Sequence, residues 1–185
     1  MSSYQRLHKW EIYRNPHLAV EAHQIVHPGG ASGEHLLLVT PPCSAVVVAD
    51  DDDLIFARQP RFAAETDVLE IVKGGAEKDE SALECGKREL REELGIEALH
   101  WQPLGTLYEI PSLVSQPVEV FLAHGVEHVD AKNDEIESVE LVRLPALVAI
   151  RAAAGGQIND AVTVAALLRY GILAGLLQLP IASPS

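Results

Sequence analysis

Apolar positions along the N-terminal part of the chain fall in short runs separated by turn residues. Trp10 to Tyr13 reads as a strand that stops at the turn signal Asn15-Pro16. Leu18, Val20 and Ala22 then share one face of a run that continues to Val26, and Pro28-Gly29-Gly30 breaks it. Leu36 to Val39 resumes an apolar strand before Pro41-Pro42. Three strands of this size are too thin to bury a core of their own. The pattern therefore predicts an N-terminal strand extension over residues 1–42, packed on the main body or on a second copy of it, and a main domain over residues 43–185.

The main domain opens with Ala45 to Ala49, an uninterrupted valine-centred run that suits a central strand buried on both faces. Asp50 to Asp53 reads as a solvated hairpin tip rather than a metal site, and Leu54 to Ala57 returns from it. Val68 to Val72 predicts another strand, which runs out at Gly74-Gly75. A well-punctuated helix follows. Ser81 with Glu84 three residues on forms a capping box, and Gly95 stands where a left-handed residue ends a helix. Gly86 in its middle costs about 1 kcal/mol against alanine, which close packing of the helix backbone on a sheet would explain. Strands are expected near Trp101–Glu109, Val118–Ala123 and Val139–Leu144, then helices over Leu144–Ala154 and from Asp160 to about Leu177. In the last helix Val164, Leu167, Leu168 and Ile172 mark the expected buried stripe. Strands before, around and after a short helix, closed by further helices, predict an α/β sandwich with a mixed sheet.

Composition narrows the function without deciding it. With 48% hydrophobic and 22% charged residues, the 185-residue chain is an ordinary globular one. Its formal net charge of −13 argues against a duplex-binding surface, which needs a basic footprint. It suits a protein that holds cations on carboxylates. No apolar run approaches the roughly 20 residues that span a bilayer, and the start lacks the apolar core of a signal peptide. Cys43 and Cys85 have no metal-type pairing and read as reduced, buried thiols of a cytoplasmic protein. No nucleic-acid or membrane partner is expected.

The chemistry concentrates between Gly74 and Ile96. On a helix Glu89, Glu92 and Glu93 crowd one side, where like charges repel unless a cation neutralises them. Hard oxygen ligands of this kind suit Mg²⁺ or Mn²⁺ better than zinc. Three glutamates alone also describe a solvated acidic face. The spacing around them decides: a glycine, five residues, Glu80, seven residues, then Arg88-Glu89-Leu90-Arg91-Glu92-Glu93-Leu94-Gly95-Ile96. This reproduces every fixed position of the Nudix box, and the chain resembles the Nudix hydrolase superfamily.

The resemblance implies a Nudix-type α/β/α sandwich and an enzyme that splits a nucleoside diphosphate joined to another group. It implies that Glu89, Glu92 and Glu93, with the backbone carbonyl of Lys73, ligate Mg²⁺ or Mn²⁺. Arg88 would orient these carboxylates, Glu80 would support the loop, and Gly74 would let the backbone turn tightly into the helix. Bound ions would neutralise transition-state charge and acidify the attacking water.

Outside the box the chain resembles the ADP-ribose diphosphatase and ADP-compounds hydrolase branch. Asn15-Pro16 with the strands after it matches N-terminal strands that serve dimerisation there, so a homodimer is implied. Arg58-Gln59-Pro60-Arg61-Phe62 resembles an Arg-Gln-Tyr-Arg segment, with Arg61 and Arg58 as candidate substrate contacts. Pro111, fifteen residues past Ile96, stands where the branch carries a marker proline, and Pro111-Ser112 with Ser115 resembles the ADP-compounds hydrolases. Ile158 to Thr163 matches near the C-terminus. In this branch a mobile loop beyond the box supplies the general base; the matching segment offers Glu135 first, Glu137 second and Asp134 third.

Two departures stand out. Glu70-Ile71-Val72-Lys73-Gly74 replaces the branch's usual Glu-Leu-Pro-Ala-Gly, and a lysine at that place resembles dinucleotide hydrolases instead. Pro60 replaces an aromatic residue. The reading is thus a cytoplasmic diphosphatase of ADP-ribose or a related ADP compound. Dinucleotides or another nucleotide sugar form the alternative substrates, and a non-catalytic nucleotide sensor is the remoter alternative. Trp10 and Tyr13 are open between base stacking and core or interface packing, and His124 and His128 read as surface residues.

Overall fold

The structure, a computed structural model, describes residues 3–129 and 139–178. Strands β1 (Gln5–Arg14), β2 (Ala19–Val26) and β3 (Ser32–Val39) form an antiparallel sheet of their own. The main sheet comprises β4 (Cys43–Asp50), β5 (Asp53–Arg61), β6 (Thr66–Glu70), β7 (Val72–Gly75), β8 (Ile96–Leu107), β9 (Val118–His128) and β10 (Glu140–Pro145). Helix α1 (Ala82–Leu94) interrupts it, and α2 (Ala146–Ala154) and α3 (Ala161–Leu173) close the chain.

The main sheet runs in the order β10-β5-β4-β9-β8, with β6 paired to β5 and β7 to β4. Its centre is the valine run of β4, whose Ala45 to Val48 are wholly buried. β4 pairs parallel with β9 from Cys43↔Val118 to Ala49↔His124, while its first half pairs antiparallel with β7. Alternate β4 residues feed two cores, as the period of a strand requires. Val46 and Val48 join Leu90 and Leu94 of α1 on one face. Ala45 and Val47 join Val162, Ala166 and Leu167 of α3 on the other. The helices therefore sandwich a mixed sheet, the expected fold class.

Local expectations hold at α1. Ser81 Oγ accepts from the Glu84 amide while the Glu84 carboxylate accepts from the Ser81 amide, and Gly95 ends the helix at φ 61°. A Cβ on Gly86 would come 2.7 Å from Ser44 Oγ and 3.1 Å from Val46 Cγ2, so the mid-helix glycine is what lets α1 lie against β4.

Three details differ from the sequence reading. The expected single strand Val68–Val72 is two, β6 and β7, pairing with different partners. In α3 the buried side is Val162, Thr163, Ala166, Leu167, Tyr170 and Gly171, whereas Leu168 and Ile172 of the expected stripe are exposed. Nearly every residue of α3 is apolar, so periodicity leaves the phase open, and contact with the sheet sets it. On β2 the buried residues are Ala19, Ala22, His23 and Ile25, while Leu18 and Val20 are only half-buried.

Every residue of β1 is exposed, including Leu7, Trp10, Ile12 and Tyr13. The β1–β3 sheet is tied to the main body at the β8–β9 connection, where Leu38 donates to the Leu113 carbonyl and accepts from the Ser115 amide at 2.8 and 3.0 Å. No helix among the described residues is long and apolar enough to cross a membrane.

Candidate active site

The acidic face of α1 is organised by one arginine. Arg88 Nε and one terminal nitrogen donate to the two oxygens of Glu80, each at 3.0 Å. The other terminal nitrogen donates to Glu89 at 2.8 Å and to Glu92 at 3.0 Å. The Gly75 carbonyl accepts a further bond at 2.9 Å. A planar fork of fixed donors can gather three carboxylates in this way, whereas a lysine could not. The bond to Arg88 holds Glu80 below the ordinary carboxylate range. Glu89 is shifted upward, because burial opposes its charge and Glu92 and Glu80 repel it, with Arg88 only partly compensating.

Glu89 lies flat on Gly74. A Cβ at position 74 would overlap the Cγ and carboxyl group of Glu89. Gly74 sits within β7, opposite Ser44 of β4, and its backbone does not enter the left-handed region. This corrects the expectation that Gly74 is needed for a tight turn. It is needed because its missing side chain is where the Glu89 carboxylate goes. Glu93, half-buried on the same helix, completes the acidic face.

Next to this face opens a cavity of about 1110 Å³. Glu80, Glu89 and Cys43 line it from the main domain, and Glu109 lines it from the end of β8. Pro16 and His17 reach it from the N-terminal sheet. The turn that carries them is fixed by Asn15, whose Oδ1 accepts from the His17 and Leu18 amides, each at 2.8 Å. Burial, with Glu109 and Glu89 nearby, pushes the Cys43 thiol up to about 11. Burial beside Glu89 pushes Cys85 up to about 12. Both shifts disfavour the thiolate, and of the two only Cys85 is fully buried, Cys43 being half-buried where the sequence predicted a buried thiol.

The other residues singled out in the sequence lie elsewhere. Arg58 pairs with Glu140 at 3.0 Å on the surface. Arg61 pairs with the buried Glu70 at 2.6 Å. Pro111 and Ser112 line a separate cleft of about 300 Å³ against the N-terminal sheet, and Ser115 bonds to β3 through its backbone. None of Arg58, Arg61, Pro111 and Ser115 lines the larger cavity. Glu135, Glu137 and Asp134 lie outside the described residues. Lys73 points its ammonium to Glu70 and Asp160 rather than into the cavity. Sequence reasoning missed Glu109 and His17, although each stands two residues or fewer from a position it did single out, Pro111 and Pro16.

Among the described residues no three His, Cys, Asp or Glu side chains converge as a ready-made ion cage. The donor chemistry nevertheless fits a hard divalent cation. The available groups are all oxygens, they repel one another, and the largely buried Glu89 sits in a seat that only glycine leaves open.

The family model described as the NUDIX domain matches residues 40–166. Over 112 residues the chain is 30% identical to an ADP-ribose pyrophosphatase of Bacillus subtilis (strain 168), covering 60% of each chain. Over 116 residues it is 35% identical to a GDP-mannose pyrophosphatase of Yersinia enterocolitica serotype O:8, covering 60% of this chain and 59% of that one. The chain thus matches about three-fifths of the length of these curated relatives. A crystal structure of an ADP compounds hydrolase superposes with a TM-score of 0.80 at 26% identity, over 94% of this chain and 95% of that chain.

Proposed function

Because the chain belongs to the Nudix family, we propose that it is a divalent-metal-dependent diphosphatase of ADP-ribose or a related ADP compound. Water adds across the diphosphate bridge, releasing AMP and, from ADP-ribose, ribose 5-phosphate. The observation that carries this reading is the arginine-gathered carboxylate cluster, of which Glu80 and Glu89 line a cavity large enough for a dinucleotide-sized ligand while Glu92 stands outside that lining. Support for the substrate comes from the relatives, two of which are named for ADP-ribose or ADP compounds.

In this reading Glu89, Glu92 and Glu93, with the Lys73 carbonyl, hold Mg²⁺, for which Mn²⁺ substitutes. The ion neutralises the diphosphate and acidifies the attacking water when bound. Arg88 holds Glu89 and Glu92 on one side through its hydrogen bonds, and Glu80 anchors Arg88. Glu135, then Glu137, then Asp134 are the candidates to take the proton from water. The exposed apolar side chains of β1 support a homodimer through the N-terminal sheet.

The test is product analysis with Mg²⁺ or Mn²⁺ across ADP-ribose, NADH, diadenosine triphosphate, GDP-mannose and a nucleoside triphosphate. AMP with ribose 5-phosphate as the preferred products supports the reading. Preference for GDP-mannose or a dinucleotide keeps the mechanism and replaces the substrate. Binding of ADP-ribose with no cleavage of any compound contradicts it.

A further inference from the structure

Lys73 and Gly74 are consecutive residues of β7, so they face opposite sides of the sheet. Gly74 faces α1 and seats the Glu89 carboxylate. Lys73 faces α3, where its Nζ lies 2.9 Å from Glu70 Oε2 and 2.7 Å from Asp160 Oδ1. Glu70 is almost wholly buried and takes Arg61 on its other oxygen at 2.6 Å. Asp160 is the N-cap of α3, and its second oxygen accepts from the Thr163 amide and hydroxyl at 2.8 and 2.7 Å. Thr163 Oγ1 in turn accepts from the Ile71 amide at 3.1 Å. The two cations and two anions balance, and every link lies within hydrogen-bond distance.

The network therefore clamps both ends of the segment from Glu70 to Lys73 against the start of α3. The same segment continues directly into Gly74 and Gly75, which carry the seat of Glu89 and the carbonyl that Arg88 binds. We propose that Lys73 is a positioning residue of the carboxylate site: held between Glu70 and Asp160 on one face of the sheet, it fixes the Gly74 backbone that seats Glu89 on the other. The proposal rests on the metal-dependent reading above. It also changes what the lysine means. In sequence it resembles a marker of dinucleotide substrates; in the structure its charge is used on α3 and reaches no part of the cavity.

The experiment uses the full chain with Lys73→Met, Lys73→Arg and Asp160→Asn. Asparagine at 160 can keep its oxygen on Thr163, so α3 stays capped, but it turns an amide toward Lys73 where a carboxylate was. Three readouts are taken well below the melting temperature: hydrogen exchange over residues 72–77, Mn²⁺ binding by calorimetry, and ADP-ribose turnover. The expected result for Lys73→Met is at least tenfold faster exchange at Gly74 and Gly75 with α1 still protected. Its Mn²⁺ dissociation constant rises about tenfold and kcat falls with KM changed less than twofold. Asp160→Asn moves the same way by less, and Lys73→Arg restores metal binding. Unchanged exchange in both Lys73→Met and Asp160→Asn overturns the proposal. So does faster exchange with wild-type Mn²⁺ affinity, because the tether then does not reach the carboxylates. If Lys73→Met fails to fold, Asp160→Asn decides by the same criteria. A wild-type chain that neither binds Mn²⁺ nor turns over any nucleotide refutes the functional reading instead, and exchange alone then judges the tether.

Discussion

Replacing Gly74 with alanine separates the seat of Glu89 from every other property of the site. The residue lies in β7 with an ordinary strand backbone, so alanine introduces no backbone strain. It even restricts the unfolded chain, a gain of about 0.4–1 kcal/mol. Against that, the new methyl group occupies the place of the Glu89 carboxyl, which must leave. Leaving breaks the 2.8 Å bond to Arg88, and a charge-assisted bond of this kind is worth about 1.5–3 kcal/mol. Overpacking adds roughly 1–3 kcal/mol in destabilisation. The clash exceeds the entropic gain, so Tm should fall by several degrees at about 2–4 °C per kcal/mol for a chain of this size. Turnover should fall further. At about 1.36 kcal/mol per tenfold, loss of the Glu89 position alone predicts a roughly ten- to two-hundredfold lower kcat/KM, with the metal requirement raised. Melting curves and metal-dependent initial rates of ADP-ribose hydrolysis measure both effects. A Gly74→Ala protein with wild-type rate and metal midpoint would show that Glu89 does not act from this seat.

Other consequences concern packing and reactivity. Gly86→Ala gains about 1 kcal/mol of helix propensity but pushes a methyl group to 2.7 Å from the buried Ser44 Oγ, at a cost of about 1–3 kcal/mol. Urea unfolding should therefore show no gain, and a stabilisation near 1 kcal/mol would refute close helix–sheet contact there. Cys43 lines the cavity and is half-buried, and its thiol is pushed from 9.0 up to about 11. At pH 8 the thiolate is roughly a hundredfold scarcer than for an ordinary thiol. Alkylation should be correspondingly slow and should accelerate about tenfold per pH unit until pH approaches 11. Labelling at the rate of a free thiol would contradict the burial described.

Much of this molecule was legible because its local signals agree with its tertiary structure. Ser81, Glu84 and Gly95 punctuate α1 by rules that need only neighbouring residues, and both caps are present. The glutamates at helical spacing could be placed on one face without knowing the fold. The phase of α3 could not, because Leu168 and Ile172 are as apolar as Ala166 and Leu167, and only the sheet distinguishes them. Partnership across long sequence separation was equally hidden. The sequence does not show that Arg61 pairs with Glu70, or that the ammonium of Lys73 pairs with Asp160, far along the chain. A single residue type does not reveal which of its charges is already answered inside the protein. Gly74 shows the same limit: that it is needed for the space its missing side chain leaves, and not for backbone freedom, becomes visible only with Glu89 lying on it.

The central claim is that the carboxylates of α1 carry metal-dependent cleavage. Glu92 tests it most cleanly, because its side chain is 44% exposed and its removal leaves the core untouched. The measurement is the rate of AMP formation from ADP-ribose with saturating Mg²⁺ by Glu92→Gln beside the wild-type chain, with melting curves of both. The account predicts a loss of orders of magnitude in turnover at nearly unchanged Tm, with Glu92 acting in the site rather than in the fold. Equal turnover by the two proteins would contradict it.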